Sequence, residues 1–234
     1  MLYKRVLLKL SGECLAGDRV GGGIDEATLA RVANVIKQVH DKGVQLAIVV
    51  GGGNFWRGRS SQNMDRVTAD QIGMLATCMN ALALSDSLEQ VGLEVRVMSS
   101  IEMRQIAELY IRKRALRHLE KGRVIIFACG LGNPYLSTDT TAALRSAEIK
   151  ADLFLKATNI DGVYDRDPHK FSDAKRYDFI SHDDVLSKNL KVMDATAAAL
   201  CRDNKTDIFV FDVRNPENLL KALESTDGGT LVHS

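Results

Sequence analysis

With 234 residues the chain exceeds the roughly 150 residues of a typical domain, enough for one large domain or two lobes with a full core, which excludes a disulfide-stapled peptide scaffold. Apolar residues at 45%, charged residues at 26%, 18 Gly and 3 Pro describe an ordinary globular chain without low-complexity bias. Lys and Arg number 31 against 30 Asp and Glu, so no global basic field exists to gather nucleic acid or an anionic membrane, and any bound anion must be held by a local site.

The first ten residues, Met1 to Leu10, are too few and too charged for the apolar region of a signal peptide. No run approaches the roughly 18 apolar residues of a membrane span, so the expectation is an unprocessed cytoplasmic chain. Val6 to Leu10 reads as a buried strand ending in Ser11-Gly12, Leu46 to Val50 as another before Gly51-Gly52-Gly53, and Val124 to Ala128 as a third before Gly130-Leu131-Gly132. Further strands are expected at Glu94 to Met98, Asp152 to Lys156, Ile208 to Phe211 and Thr230 to Val232.

Between them the spacing predicts helices over Asp25 to Asp41, Arg66 to Val91, Met103 to Lys121, Thr138 to Lys150, Asp184 to Lys188, Asp194 to Asp203 and Pro216 to Glu224. Start signals accompany several: Asn215 as a cap before Pro216, Ser181 with Asp184 as a capping box, and Asp194 before its helix. Strands alternating with helices define an α/β chain with a mainly parallel sheet. With no internal repeat and no Pro-rich or Ser-rich linker, one domain with two lobes is expected.

Four cysteines (Cys14, Cys78, Cys129, Cys201) stand far apart without a C-x-x-C pair, which suits buried thiols in a reducing compartment. The five histidines are scattered, and surface placement is expected for each. The phosphate-loop pattern G-x-x-x-x-G-K-[ST] is missing. Trp56 and Tyr135 stand where a dinucleotide fingerprint needs its third glycine.

What remains suits phosphate. Open α/β sheets bind ligands at the carboxyl ends of their strands, where the three glycine segments converge. Lys9 brings an ammonium to one strand end beside Ser11-Gly12, although an edge lysine needs no ligand. Gly51-Gly52-Gly53-Asn54 lets a ligand approach the backbone, and Arg57 follows with a guanidinium fork matched to phosphate. The run from Gly132-Asn133-Pro134-Tyr135 to Ser137-Thr138-Asp139 gathers hydroxyls and amides at a helix start, where simple capping explains part of the pattern. Lys156 ends another strand before a polar turn carrying Tyr164, which either flanks a base or packs on its own loop.

These segments, taken together with Met74-Leu75-Ala76-Thr77 and Lys191-Val192-Met193-Asp194, resemble in order and over nearly the whole chain the bacterial UMP kinases of the amino acid kinase superfamily. The resemblance implies a three-layer αβα sandwich around a mainly parallel sheet, with an acceptor-binding lobe over roughly 1–150 and an ATP-binding lobe over 151–234. The activity it implies is transfer of the ATP γ-phosphoryl group to UMP, assisted by Mg²⁺, in pyrimidine nucleotide biosynthesis. An acceptor phosphate is already ionised, so positioning and charge neutralisation carry the reaction and no general base is required.

Carried over by position, Lys9, Leu10, Ser11 and Gly12 face the ATP phosphates, with Gly53 and Arg57 near the γ-phosphate. Lys156 is a second lysine at the transferring group, and Asp139 orients the lysines or engages Mg²⁺. Thr158, Tyr164 and Asp167 match the adenosine positions. Gly52, Asp70 and the run Leu131, Gly132, Asn133, Pro134, Tyr135, Leu136, Ser137 and Thr138 match the UMP site. Asp194 also matches a family aspartate, though its capping role suffices to account for it.

Leu131 departs from a threonine common in relatives, and Ser85 and Glu89 depart from basic residues some relatives place near a GTP site. The resemblance further implies GTP and UTP as effectors and a homohexamer, for which the apolar stretch Ile72 to Leu88 is either interface or core. Two other readings stand beside this one: a superfamily member that phosphorylates a carboxylate or carbamate, and a nucleotide sensor without turnover. No basic run exceeds Arg112-Lys113-Arg114, which leaves nucleic acid without support as a partner.

Overall fold

Residues 3–17, 22–56, 63–190, 192–225 and 227–234 are described by a computed structural model. Arg57 and Lys191 lie outside them.

In chain order the elements are β1 (Arg5–Leu10), a 3₁₀ turn (Gly12–Leu15), α1 (Glu26–Asp41), β2 (Gln45–Val50), α2 (Arg66–Gln90), β3 (Val95–Ser99), β4 (Glu108–Leu109), α3 (Arg112–Glu120), β5 (Val124–Ala128) and α4 (Thr138–Ile149). They continue with β6 (Leu153–Thr158), β7 (Val163–Tyr164), β8 (Arg176–Tyr177), β9 (Phe179–Ser181), α5 (His182–Ser187), α6 (Ala195–Asp203), β10 (Ile208–Asp212), α7 (Asn218–Glu224) and β11 (Gly229–His233).

Nine strands join in the order β4-β3-β5-β2-β1-β6-β10-β11-β9, with β7 and β8 forming a separate hairpin. Every neighbouring pair in the large sheet is parallel except β10 with β11. The side-chain period of two divides each central strand between two cores. Val6, Leu8 and Leu10 pack with α1, α2 and α7 on one face, while Leu7, Ala47, Val49 and Phe154 pack with α3, α4, α5 and α6 on the other. The result is the expected three-layer sandwich. Burying each such Leu, Val or Phe contributes roughly 1.5–3 kcal/mol.

Capping fixes the helix starts. Asp25 accepts from the Thr28 amide at 2.8 Å, Asp65 from Thr68 at 3.1 Å, Ser181 from Asp184 at 3.0 Å and Asp194 from Ala197 at 3.0 Å. Each such cap is worth about 1 kcal/mol.

The long helix expected over Met103 to Lys121 is broken. Only Arg112–Glu120 is helical, because Glu108–Leu109 pairs beside β3 and the Tyr110 amide donates to the Ser99 carbonyl at 2.8 Å. Tyr110 is held there by Glu148, which accepts its hydroxyl at 2.7 Å, and by the Arg145 guanidinium 3.6 Å from its ring centre. Tertiary anchoring overrides the local helical period at this point.

Asn215 caps the Glu217 amide at 3.1 Å, but Pro216 opens a tight turn and α7 starts only at Asn218. Cys78, Cys129 and Cys201 are buried free thiols as expected, whereas Cys14 is half-buried. His182 departs from surface placement: it is buried, its Nε2 lies 3.0 Å from the Thr206 carbonyl oxygen, and burial lowers its pKa.

Candidate functional site

The central strands β5, β2, β1 and β6 are consecutive neighbours, so their carboxyl ends place Cys129–Gly132, Gly51–Asn54, Lys9–Gly12 and Lys156–Thr158 along one edge. Lys9 and Lys156 are direct register partners on β1 and β6. Each follows by two residues a side chain of the α4-side core, Leu7 and Phe154, so both ammonium groups rise on the α4 face. Asp139, the second residue of α4, meets them there: Lys9 Nζ lies 2.9 Å from its Oδ1, and Lys156 Nζ donates to its Oδ2.

Two lysines and one aspartate leave the trio with a net charge of +1 inside the protein. Lys156 is only 6% exposed. Burial works to raise the Asp139 pKa, but the two lysines outweigh it and hold the carboxyl at about 2. Burial, reinforced by repulsion from Lys9, lowers the Lys156 pKa against the pull of Asp139. A cationic pair fixed by one shared carboxylate is pre-organised for an anion, because little reorganisation remains when one arrives.

Behind this trio Ser137 caps α4, accepting from the Asp139 amide at 3.1 Å and the Thr140 amide at 3.0 Å. Its hydroxyl donates to Asp194, which also accepts from Thr140 Oγ1 at 2.9 Å. Asp194 therefore caps α6 and ties it to the start of α4, a role that needs no ligand.

Toward β5 and β2 a cleft of about 140 Å³ opens, lined by Gly52, Asp70, Leu131, Asn133, Leu136, Ser137 and Thr138 among the sequence-predicted residues. Gly132, Pro134 and Tyr135 belong to the same loop without lining it, though the Tyr135 amide donates to Asp70 Oδ2 at 2.8 Å. Asp70 also accepts from Arg66 Nε at 2.8 Å.

Close backbone packing explains Gly12: a Cβ there would lie 2.6 Å from the Gly51 carbonyl oxygen and against the Asn54 side chain. Gly53 lies in the turn where the Gly52 carbonyl accepts from the amides of Phe55 and Trp56, both at 3.0 Å. Leu10 ends β1, its carbonyl accepting from the Gly51 amide at 2.9 Å. Ser11 caps the following 3₁₀ turn.

Beyond β6 lies a second, larger groove of about 510 Å³, whose walls include Ile160, Tyr164, Asp167, Pro168 and Phe171. The Tyr164 hydroxyl donates to Asp161 at 2.8 Å, and Arg176 braces the same carboxylate at 3.0 Å. Thr158 folds onto the turn instead, accepting from the Ile160 amide at 2.9 Å. Between the two openings, in strand order, stand Lys9 and Lys156.

A profile of the Amino acid kinase family matches residues 4–212. The chain belongs to the amino acid kinase family. Among solved structures it is similar to a UMP kinase from Bacillus anthracis, with 40% identity and a TM-score of 0.95 over 99% of this chain and 96% of that one. It is also similar to a UMP kinase from Ureaplasma parvum, with 37% identity and a TM-score of 0.94 over the full length of both chains.

In this amino acid kinase several lining residues receive no binding role from the sequence. Trp56 lines the cleft with its indole N–H donating to the Ala69 carbonyl at 2.9 Å, and Gly73, Met74, Thr77, Gly130 and Thr141 share the wall. Asn54 and Asn80 exchange side-chain amide hydrogen bonds at 3.0 and 2.7 Å, and Asn80 also donates to the Gly51 carbonyl at 2.7 Å, locking the glycine turn to α2. A buried asparagine inside an apolar helix was the one available signal. Among the described residues no cluster of three His, Cys, Asp or Glu side chains could hold a metal ion, and none of the helices is long and apolar enough to cross a membrane.

Proposed function

We propose that this chain is a UMP kinase, transferring the γ-phosphoryl group of ATP to the phosphate of UMP to give UDP and ADP. The observation that carries the proposal is the register-paired Lys9 and Lys156, clamped by Asp139 at the strand ends between a small cleft and a larger groove. The small cleft takes UMP, with Asp70 accepting from ribose hydroxyls and the Leu131 to Thr138 run around the nucleotide. The larger groove takes the adenosine of ATP beside Tyr164 and Asp167, with Thr158 shaping the turn that leads to it.

Phosphoryl transfer demands that two polyanions be brought into line and that charge spreading over the transferring group be neutralised. Lys9 and Lys156 supply fixed positive charge, Ser11, Gly12 and Gly53 supply close backbone, and Arg57 adds a guanidinium at the γ-phosphate. Asp139 has both oxygens engaged by lysines, so its role is to orient them. Mg²⁺ brought with ATP would supply further neutralising charge at the transferring group, while the described residues offer no cluster of three His, Cys, Asp or Glu side chains to hold it. On this reading residues 1–150 form the acceptor lobe and residues 151–234 the ATP lobe.

The family resemblance implies a homohexamer with GTP and UTP as effectors, and the same is proposed here. Leu75, Met79 and Leu82 support assembly: they recur at helical spacing along α2 and are 51%, 48% and 39% exposed, opposite the face that enters the core.

ADP release from Mg·ATP is the direct test, with UMP, CMP, dUMP, GMP, acetylglutamate, carbamate and aspartate as acceptors. Turnover confined to UMP is the expected outcome. Turnover with a carboxylate or carbamate would overturn the acceptor, and tight ATP binding without any turnover would make the protein a sensor.

A further inference from the structure

The loop from β5 to α4 is held in a conformation that its sequence does not favour. Cys129, Gly130, Gly132 and Tyr135 have φ of 60°, 56°, 75° and 69°, and two of these four left-handed positions are not glycine. Such a backbone persists only where its surroundings fix it. Three side chains from other elements do so. Thr77 Oγ1 accepts the Cys129 amide at 2.9 Å, Asp70 accepts the Tyr135 amide at 2.8 Å, and Ser100 Oγ donates to the Gly130 carbonyl at 2.7 Å.

Ser100 is itself set by a buried charge. Arg145 Nη2 donates to Ser100 Oγ at 3.0 Å, its Nη1 donates to Glu148 at 2.5 Å, and its guanidinium lies 3.6 Å from the Tyr110 ring centre. The side chain is 6% exposed and its Nε has no partner. A guanidinium can only donate. The serine oxygen must therefore accept from Arg145, which sends its single proton to the Gly130 carbonyl. The loop also rests on the serine backbone, since a Cβ at Gly132 would come within 3.1 Å of the Ser100 carbonyl oxygen. Packing alone does not call for an arginine here, because an apolar side chain of similar size would fill the space without burying a charge.

We propose that Arg145 is a positioning residue for the acceptor cleft, acting through Ser100 to hold Gly130 to Asn133 in the shape that receives the acceptor. The proposal rests on the reading of that cleft as the UMP site. Neither residue lines the cleft, so their effect reaches it through the loop.

The experiment measures KM for UMP and for ATP separately in Ser100→Ala, Arg145→Met and the double variant, alongside amide hydrogen exchange of residues 129–134. Each single substitution is expected to raise KM for UMP about fivefold, the equivalent of one hydrogen bond of about 1 kcal/mol. KM for ATP and kcat should stay within about twofold, and the double variant should be no worse than the worse single. The amides of residues 130–133 should exchange faster while those of β1 and β2 keep their protection.

Multiplying effects in the double variant, an equal rise in KM for ATP, or a Ser100→Ala protein with unchanged KM and unchanged exchange would each overturn the proposal. If Arg145→Met does not fold, Arg145→Lys, which keeps the charge beside Glu148 but loses the fork, is expected to give the same shift, and normal values there would overturn it. An unaltered protein that does not turn over UMP refutes the substrate; the exchange measurement then decides the dependence of the loop on Arg145 by itself.

Discussion

At the ends of β1 and β6 the site is held by an ionic trio, and at the end of β5 it is held by side chains that hydrogen-bond to the loop backbone. Lys9, Asp139 and Lys156 form an ionic trio, with Lys156 buried and the other two partly so, on regular elements, two strands and a helix start. The wall of the small cleft is a loop with left-handed residues, pinned by Thr77, Ser100 and Asp70. On the proposed function the contrast follows from what each part would have to do. Neutralising a transferring phosphoryl group needs fixed charge in a dry place, where it acts strongly. Recognising one nucleotide needs shape and directed polar groups, which backbone in unusual conformations supplies.

Removing charge should therefore hurt catalysis most. Lys9→Ala, Arg57→Ala and Lys156→Ala are each expected to lower kcat by about a hundredfold or more while thermal melts show a retained fold. Near-normal turnover in any of these folded variants would remove that residue from the machinery.

Asp139→Asn should cost kcat roughly tenfold to a hundredfold, because the lysines lose the carboxylate that orients them. It also tests the charge directly through pH. The native carboxyl sits at about 2 against an ordinary 3.8, a depressed pKa, so its stabilising contribution is complete above the ordinary value and is lost as pH falls toward the native one. The gap in Tm between native protein and variant should be constant from neutral pH to about pH 5 and close below about pH 4. A gap that stays constant down to the native value would show that the trio does not stabilise the fold through charge.

On the acceptor side the expected signature is in KM. Asp70→Asn should raise KM for UMP about tenfold with little change for ATP, since one charged acceptor of hydrogen bonds is weakened. Equal changes for both substrates would place Asp70 outside the acceptor site. The smallest effect on turnover is expected for Asp194→Ala, which loses a cap and two hydroxyl links and should destabilise by about 1–2 kcal/mol. A larger loss of kcat than in Asp139→Asn would show that Asp194 acts beyond capping.

Much of this arrangement is local and so legible in the chain. Strands ending in Ser11-Gly12, Gly51-Gly52-Gly53 and Gly130-Leu131-Gly132 announce their own termini, and in the fold β1, β2 and β5 do bring those segments to one edge. The caps at Ser137, Ser181 and Asp194 were equally visible, because a cap is decided within four residues. The helix expected over Met103 to Lys121 misled because its period is genuine, while the pairing and the Tyr110 contacts that break it come from β3 and α4. Arg145 gave no sign of its role, and Asn80 showed only as a polar residue within an apolar helix, because the partner of each lies on a distant element.

The sequence by itself determined the α/β alternation, the glycine segments at the strand ends, and that Lys9 and Lys156 share faces with Leu7 and Phe154, since a period of two assigns faces without knowledge of neighbours. Tertiary structure alone decided that Lys9 stands opposite Lys156, that Asp139 falls between them, and that Arg145 reaches the loop after β5 through Ser100. Strand order and register are set by which apolar faces close the two cores most completely, a global optimum that no short stretch of the chain encodes.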